Sequence, residues 1–465
     1  MNLDSILSFM YEESTHLQNN GYCSEAVYTS EQLAVQSLNT LGLTYCSNKL
    51  FDKSIQVFES AVKIDEGNWL LWSNIAHVYS VQNKPQQALD AALRSVEYCN
   101  GTAFDPYYNC GVILTCLNKI EEAIKLYRIA LQIRPNDPNA NYNLGLLLLR
   151  TQLCREGWEK YEYRFETSKL TGKFKERFYP VGLVQPDWDG RKFKNKSLLV
   201  YSEQGLGDFI FFSRFLPMVK KLGGKLMVEI QEPLKNIVGP NLKIDELIVR
   251  PNNIDWPEAP ESDYCASVCS LPRILKIYSE KQIPTEPYIF APKKPRPKEF
   301  SKKKFNIGIC WCGNPDHPRD CQRSMFIEQF KPLTEIKNVE LFGLLKGVEG
   351  KRCWPTGIVN TFEGIENFPM TNLANKINDY SDLAHYINHL DLVITVDTGL
   401  AHLAAAMGKE VWLILGTEFD WRWGDDEFKT MWYPTMKLFR RKDTWENVMI
   451  KIVNELTTFL SSQKH

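Results

Sequence analysis

A period runs through the first third of the chain. Small residues in apolar segments recur at Leu41-Gly42, Ile75-Ala76, Cys110-Gly111 and Leu144-Gly145, with steps of 34, 35 and 34 residues. Three residues after each small residue comes Tyr45, Tyr79, Leu114 or Leu148. Each is succeeded by a second group: Ser54, Phe58 and Ala61; Ala88, Ala92 and Ser95; Ala123, Tyr127 and Ala130; Gly157, Tyr161 and Arg164. A unit of this length holds two helices, whose small residues allow close crossing while the aromatics fill the gaps. Pro135 ends a helix. One such pair cannot bury its apolar face alone, so neighbouring pairs must stack.

The period and the residues on it resemble tetratricopeptide repeats. The resemblance implies a superhelix of helix pairs over residues 1–170, with residues 1–35 as a degenerate first pair. Stacked pairs leave a concave groove where an extended peptide can lie; dimerisation and bracing of a neighbouring domain are the other uses of such an array. A strongly polar, Asn-rich groove would favour the peptide. The last repeat is unusually aromatic from Gly157 to Phe165, so its helix is expected to dock against the next domain.

A chain of 465 residues exceeds one core and implies two or three domains. The net charge of −1 argues against nucleic acid or a membrane surface as partner. No apolar run reaches membrane-spanning length. The first basic residue is Lys49, which leaves no basic start for a secretory signal, and the 12 cysteines are scattered. The expectation is a cytoplasmic protein with reduced thiols.

Residues 171–196, with Pro180, Pro186 and Gly190, carry no clean period and are expected to be a connector. Asp187-Trp188-Asp189 mimics a metal-binding Asp-X-Asp. A motif of that kind belongs at a strand end inside a nucleotide site, and its position ahead of the first strand argues against a metal. Ser197–Tyr201 is an apolar strand, succeeded by the turn Glu203–Asp208 and a helix from Phe209 to Leu222. Strand, glycine turn and helix open a doubly wound α/β half over residues 197–295, continued by Leu226–Ile230 and Glu246–Val249. The turn lacks the full dinucleotide fingerprint, which argues against a nicotinamide cofactor. Asp208 falls at the carboxyl end of the strand, where ligands bind, and could equally cap the helix.

Residues 291–304 form a Pro/Lys hinge, read as a solvated linker. A second α/β half occupies residues 305–440, with strands at Phe305–Trp311, Val339–Leu344, Leu392–Val396 and Val411–Leu415. Between the last two lies Asp397-Thr398-Gly399 and an Ala-rich helix closed by Gly408. A helix N-terminus there offers free N–H groups and partial positive charge to a phosphate. Gly399 allows close approach, and His402 lies one turn further on the same side. A final helix over residues 443–462 is set by the spacing of Trp445, Val448, Met449, Ile452, Val453, Leu456 and Leu460, with Asp443 as its cap.

Taken in order, Trp158–Arg164, Glu203–Asp208, Trp311–Asn314 with His317, Asp320, Arg323 and Ser324, Asp391–Ala404, Trp421-Arg422-Trp423 and Trp432-Tyr433-Pro434 resemble a known family. They are similar to bacterial tetratricopeptide-repeat proteins with a glycosyltransferase family 9 domain, the superfamily of the lipopolysaccharide heptosyltransferases. The resemblance implies an α + α/β chain: a tetratricopeptide-repeat superhelix, then a GT-B type pair of doubly wound α/β domains with a cleft between them. It implies an inverting transferase that needs no metal or other cofactor, with the nucleotide-sugar in the second half and the acceptor approaching the first. Asp208 matches the general base on the acceptor wall. Thr398, Gly399 and His402 match the phosphate site on the opposite, donor wall, with Asp397 capping the helix or touching a sugar hydroxyl. Arg323 falls where the family uses a basic residue, usually Lys, to offset diphosphate charge. Gly207, Asn314, Trp421 and Trp423 are candidates for the cleft, although the two tryptophans fit packing equally well. The last helix would cross back and tie the halves together. The expected partners are a nucleotide-sugar and a protein or peptide acceptor held by the repeats, with a homo-oligomer left open. Rival readings are an inactive interaction scaffold, or a transferase acting on a lipid-linked or oligosaccharide acceptor. Cys310, Cys312, Cys321 and Cys353 match no zinc spacing and read as thiols. His385 and His389 share a helix face without a third ligand.

Overall fold

The structure is a computed structural model that describes residues 16, 23–170, 185–250, 260–315, 317, 320–345, 351–354, 357–360 and 365–462. The chain divides into two compact units, residues 1–147 and 148–465.

The first unit is built of antiparallel helix pairs. In order these are α1 (Cys23–Ser47), α2 (Phe51–Ile64), α3 (Trp69–Val81), α4 (Pro85–Tyr98), α5 (Phe104–Cys116) and α6 (Ile120–Ile133), with α7 (Pro138–Thr151) running across the division. The periodic small residues are the crossing points. A methyl group on Gly42 would stand 2.6 Å from the Phe58 ring, and one on Gly111 2.9 Å from the Tyr127 ring. Each turn within a pair uses one residue in the left-handed region, Lys49, Asn83 or Asn118, at φ of 60°, 57° and 60°. Residues 1–15 and 17–22 lie outside the described residues, so the degenerate first pair is seen only as the single long helix α1.

The second unit begins with α7's last residues and two short helices, α8 (Arg155–Tyr161) and α9 (Arg164–Leu170). The expected boundary at residue 170 therefore falls too late. The aromatic helix is part of the α/β unit because Trp158, 0% exposed, donates its indole N–H to the Ile277 carbonyl at 2.8 Å. Arg164 is buried against Glu203 with Nε–Oε1 2.7 Å and Nη2–Oε2 2.9 Å. The connector is also shorter than expected. Residues 171–184 lie outside the described residues, but Asp187 bridges in parallel to Cys265, and Trp188 is buried against Phe193.

Two parallel sheets come next. The first holds β1 (Ser197–Tyr201), β2 (Lys225–Gln231), β3 (Glu246–Arg250) and β4 (Tyr264–Ser267) in the order β3-β2-β1-β4. The expected helix after β1 is broken into α10 (Leu206–Ser213) and α11 (Leu216–Lys220), with Pro217 entering the first turn of the second. The second sheet has β5 (Phe305–Cys310), β6 (Val339–Gly343), β9 (Thr371–Asn372), β10 (Leu392–Val396), β11 (Val411–Leu415) and β12 (Met436–Arg440). Its order is β12-β11-β10-β5-β6-β9. An antiparallel hairpin of β7 (Lys351–Trp354) and β8 (Gly357–Asn360) lies between β6 and β9 in sequence. Further helices are α12 (Tyr380–Ile387), α13 (Gly399–Ala406) and α14 (Trp445–Ser462). β10 and β11 are buried along their whole length, as strands covered on both faces must be. Trp445, Val448, Met449, Ile452 and Leu456 of α14 join the core of the second sheet. That helix thus serves the second half, and the tie between halves comes from the site.

Candidate functional site

In each sheet the chain leaves a central strand in one direction and later returns on its other side. The reversal lies between β1 and β4 in the first sheet and between β5 and β10 in the second. Loops at the carboxyl ends of such strand pairs diverge and leave a crevice, the general ligand position of open parallel sheets.

In the first sheet the chain fills this crevice itself. Arg164 reaches Glu203 after β1 and Ser270 after β4 at 2.7 Å, and Ser267 Oγ hydrogen-bonds Glu203 as well. What stays accessible is the rim at Asp208. Its Oδ2 accepts from the Gly205 N–H at 3.0 Å, so it caps α10, and its Oδ1 accepts from Arg422 Nη2 at 2.5 Å. The cap reading of Asp208 thus matches the geometry, and the second carboxylate oxygen is left to Arg422. Loss of solvent raises its pKa above the ordinary aspartate value, with Asp420 adding to the rise and Arg422 opposing it.

In the second sheet the crevice is lined from both sides. After β5 comes a loop closed by Gly313 N–H to Ser324 Oγ at 3.0 Å, in which Asn314 is exposed. Arg323 from this loop donates to the Asp397 carbonyl at 2.8 Å, which brings its guanidinium to the turn after β10. The turn leads into α13, whose N-cap Thr398 makes no side-chain cap bond. Among the described residues, the N–H groups of Gly399 and Leu400 find no acceptor. The Asp397 carboxylate does not cap the helix. Its Oδ2 accepts from Trp423 Nε1 at 2.8 Å, and burial together with Asp420 raises its pKa to about 6.

The two turns touch. A methyl on Gly207 would lie 3.1 Å from both Gly399 Cα and His402 Cδ2. The turn bearing Asp208 and the Asp397–Gly399 turn thus lie against each other instead of facing across an open cleft, because a glycine at the start of each helix lets α10 and α13 abut. The space beside Gly399 is taken by the Tyr380 hydroxyl and the Gly207 amide. Its smallness is required by this protein contact, before any ligand is considered. Trp421 and Trp423 are buried, 5% and 0% exposed, and pack instead of lining a sugar pocket. Trp421 stands edge-on to Trp158, Phe211 and Trp432, while Trp423 stacks on the His402 ring at 5.2 Å. His402 is itself buried, with Nδ1 3.0 Å from the Tyr433 hydroxyl.

Sequence reasoning did not single out Tyr380, Tyr433, Asp420 or Arg422 as site residues. Arg422 joins the halves: it reaches Asp208 from one end and Asp420 at 2.8 Å from the other, with its guanidinium 4.7 Å from the Phe211 ring centre. No local spacing reveals such a pairing; only the Trp421–Trp423 motif marked its neighbourhood. Among the described residues no group of three or more His, Cys, Asp or Glu side chains is arranged to hold a metal ion. Asp189 pairs with Arg191, and the described cysteines are free thiols. The Cys353 side chain lies outside the described residues.

Family models place the chain. Residues 35–68 match a tetratricopeptide repeat model, residues 111–152 a TPR repeat model, and residues 358–418 the glycosyltransferase family 9 (heptosyltransferase) model. Tetratricopeptide repeats and a glycosyltransferase family 9 match are therefore both found in the chain, in that order. Among curated proteins it is similar to Protein FlbA of Caulobacter vibrioides, 22% identical over 461 residues, covering 92% of this chain and 74% of FlbA. It is also similar to the peroxisomal targeting signal receptor of Candida glabrata, 24% identical over 134 residues, covering 29% of this chain and 17% of the receptor. Among solved structures, the first TPR of Spaghetti (RPAP3) bound to an HSP90 peptide matches with 25% identity and a TM-score of 0.24. It covers 24% of this chain and 89% of that one. YrrB, described as a TPR protein with an unusual peptide-binding site, matches at 17% identity and TM-score 0.26 over 28% of this chain and 68% of its own.

Proposed function

We propose that the chain is an inverting, metal-independent glycosyltransferase of GT-B type. In this reading it moves a sugar from a nucleotide-sugar to a hydroxyl on a protein acceptor recruited by the repeats, and it works in the cytoplasm. The observation that carries the reading is the junction of two turns: a carboxylate beside α10 and a free helix N-terminus at α13, joined through Gly207, Gly399 and Arg422. Inverting transfer needs a base for the acceptor hydroxyl and compensation for a departing diphosphate. Asp208 is the base, and its raised pKa brings its basicity closer to the task. The N–H groups of Gly399 and Leu400 take the diphosphate, with Thr398 and His402 beside them. Arg323, fixed on the Asp397 carbonyl, offsets its charge. Asn314 lies on the accessible rim of the same crevice. This protein-borne compensation is what supports a metal-independent route.

A row of amides supports the protein acceptor. Asn39, Asn74, Asn109 and Asn143 recur at the repeat period, all partly exposed. Asn74 donates to Asn39 at 2.7 Å and Asn109 to Ser73 at 3.1 Å. Side-chain amides spaced along stacked helices can pair with the backbone of an extended peptide regardless of its sequence.

The test is Asp208→Asn, measured as nucleoside diphosphate release from a panel of nucleotide-sugars with water or protein as acceptor. Asn still accepts from the Gly205 N–H and Arg422 keeps Asp420, so the fold and donor binding should persist, with a lowered melting temperature from the lost ion pair, while turnover falls by about 10²–10⁴-fold. Full turnover in the variant would reject Asp208 as the base. A wild-type protein that binds no nucleotide-sugar would favour the scaffold.

A further inference from the structure

We propose that Tyr433 is a positioning residue that holds His402 as the neutral tautomer protonated on Nε2, so that the ring presents an N–H donor at the junction of α10 and α13. The functional part, that this donor meets a diphosphate, rests on the reading above. The tautomer itself rests on proton accounting within a closed pocket.

Among the described residues the His402 ring makes one hydrogen bond, Nδ1 to the Tyr433 hydroxyl at 3.0 Å. Both side chains are nearly closed to solvent, at 6% and 3% exposed. Each atom of that pair can be the donor only at the other's expense. If Nδ1 carried the proton, the Tyr433 oxygen would accept it, and the phenol's own proton would need another acceptor. The groups beside that oxygen are Arg214, a donor, and Tyr288. The Tyr288 hydroxyl gives its own proton to the Ile210 carbonyl at 2.9 Å; its oxygen can still accept, but it faces the Arg214 Nη2 donor at 3.5 Å, and a phenol oxygen is a far weaker acceptor than an imidazole nitrogen. A phenol holds its proton at neutral pH, and burial pushes this one further up. The arrangement that gives the phenol proton the stronger acceptor has Tyr433 donating to Nδ1, which leaves the imidazole proton on Nε2.

The ring's charge is set by the same surroundings. The Arg214 guanidinium lies over the Tyr433 ring at 4.3 Å, and Arg422 lies over the adjoining Phe211 at 4.7 Å. The remaining faces of His402 are Trp423, Phe211 and Gly207. The Asp397 carboxylate is engaged by the Trp423 indole, and the Asp208 carboxylate by Arg422. Burial, with two arginines and no carboxylate in contact, holds the imidazole pKa well below its ordinary value. The Cδ2 edge, next to Nε2, faces Gly207 at the junction. His402 thus offers a neutral donor whose strength does not vary across the physiological range. No proton is transferred in this role.

The experiment uses the full chain labelled with ¹⁵N-histidine, and two-bond ¹⁵N–¹H spectra, with His402→Gln to assign one ring among the 7 histidines. The expected result is a protonated-type Nε2 and an unprotonated-type Nδ1, unchanged from about pH 5.5 to 8.5. In Tyr433→Phe the lock is lost, and the ring should show a mixture of tautomers. A wild-type ring protonated on Nδ1, an imidazolium within that range, or an unchanged spectrum in Tyr433→Phe each overturns the positioning role. ADP, UDP and GDP are then added in turn. A shift of Nε2 with one of them supports the diphosphate contact. A correctly locked ring that none of them perturbs overturns the functional reading and leaves the lock standing.

Discussion

Arg422→Met tests whether the site holds the two halves together. Met keeps most of the side-chain volume against Phe211, Phe212 and Trp421 but removes the cation from two carboxylates. Arg422 is 6% exposed, whereas Asp208 is 23% and Asp420 37% exposed, so the loss falls mainly on Asp208. Removing one partner of a fully buried ion pair costs about 3–5 kcal/mol. Asp208 keeps the Gly205 cap bond and some water, which brings the cost to the foot of that range or just below it, about 2–3 kcal/mol at pH 7. The pH dependence carries the proof. Without Arg422 the folded-state pKa of Asp208 rises further above its unfolded value. The folded variant then binds more protons than the unfolded chain, so its stability is highest in acid and falls as pH rises through the folded-state pKa. The deficit relative to wild type should shrink as pH is lowered, by at most about 1.4 kcal/mol per pH unit. Urea unfolding of both proteins across the neutral and mildly acidic range measures this. A variant as stable as wild type at pH 7, or a deficit independent of pH, would refute the coupling.

Two further outcomes are expected. Gly399→Ala forces a methyl against the Tyr380 hydroxyl and the Gly207 amide, and overpacking of this kind costs about 1–3 kcal/mol. Adding Tyr380→Phe should return part of it, and thermal melting of the two single variants and the double variant that showed strict additivity would rule out the contact. A shortened chain beginning near residue 148 should melt cooperatively and bind nucleotide, whereas one beginning near residue 171 should not fold, since it lacks Trp158 and the Arg164 partner of Glu203. Equal melting temperatures for the two would show that the aromatic helix is dispensable.

Much of this was legible because it is local. The 34-residue spacing fixes helix pairs whose contacts lie within one or two repeats, and Gly42 with Phe58 or Gly111 with Tyr127 could be paired from the period alone. The strands β1, β10 and β11 and the two glycine turns also show in short windows. What escaped is long-range. Arg422 and Asp208 are 214 positions apart, and Tyr433 meets His402 from 31 positions further along the chain. The boundary near residue 170 was misjudged for the same reason. The segment carrying Trp158 and Arg164 keeps the repeat period, and only its burial against Ile277 and Glu203 assigns it to the α/β unit. Trp423 shows the limit of composition: an aromatic beside a sugar-transferase motif suggests a sugar platform, yet its indole is spent on Asp397 and His402.

The guanidinium of Arg164, lodged where an open parallel sheet ordinarily receives a ligand, also constrains how this lineage can vary. Loss of either Arg164 or Glu203 alone strands a desolvated charge, whereas exchanging both for apolar side chains of similar volume removes charge and partner together. The intermediate genotypes are then less fit than either end state, and the route between them is a valley instead of a slope.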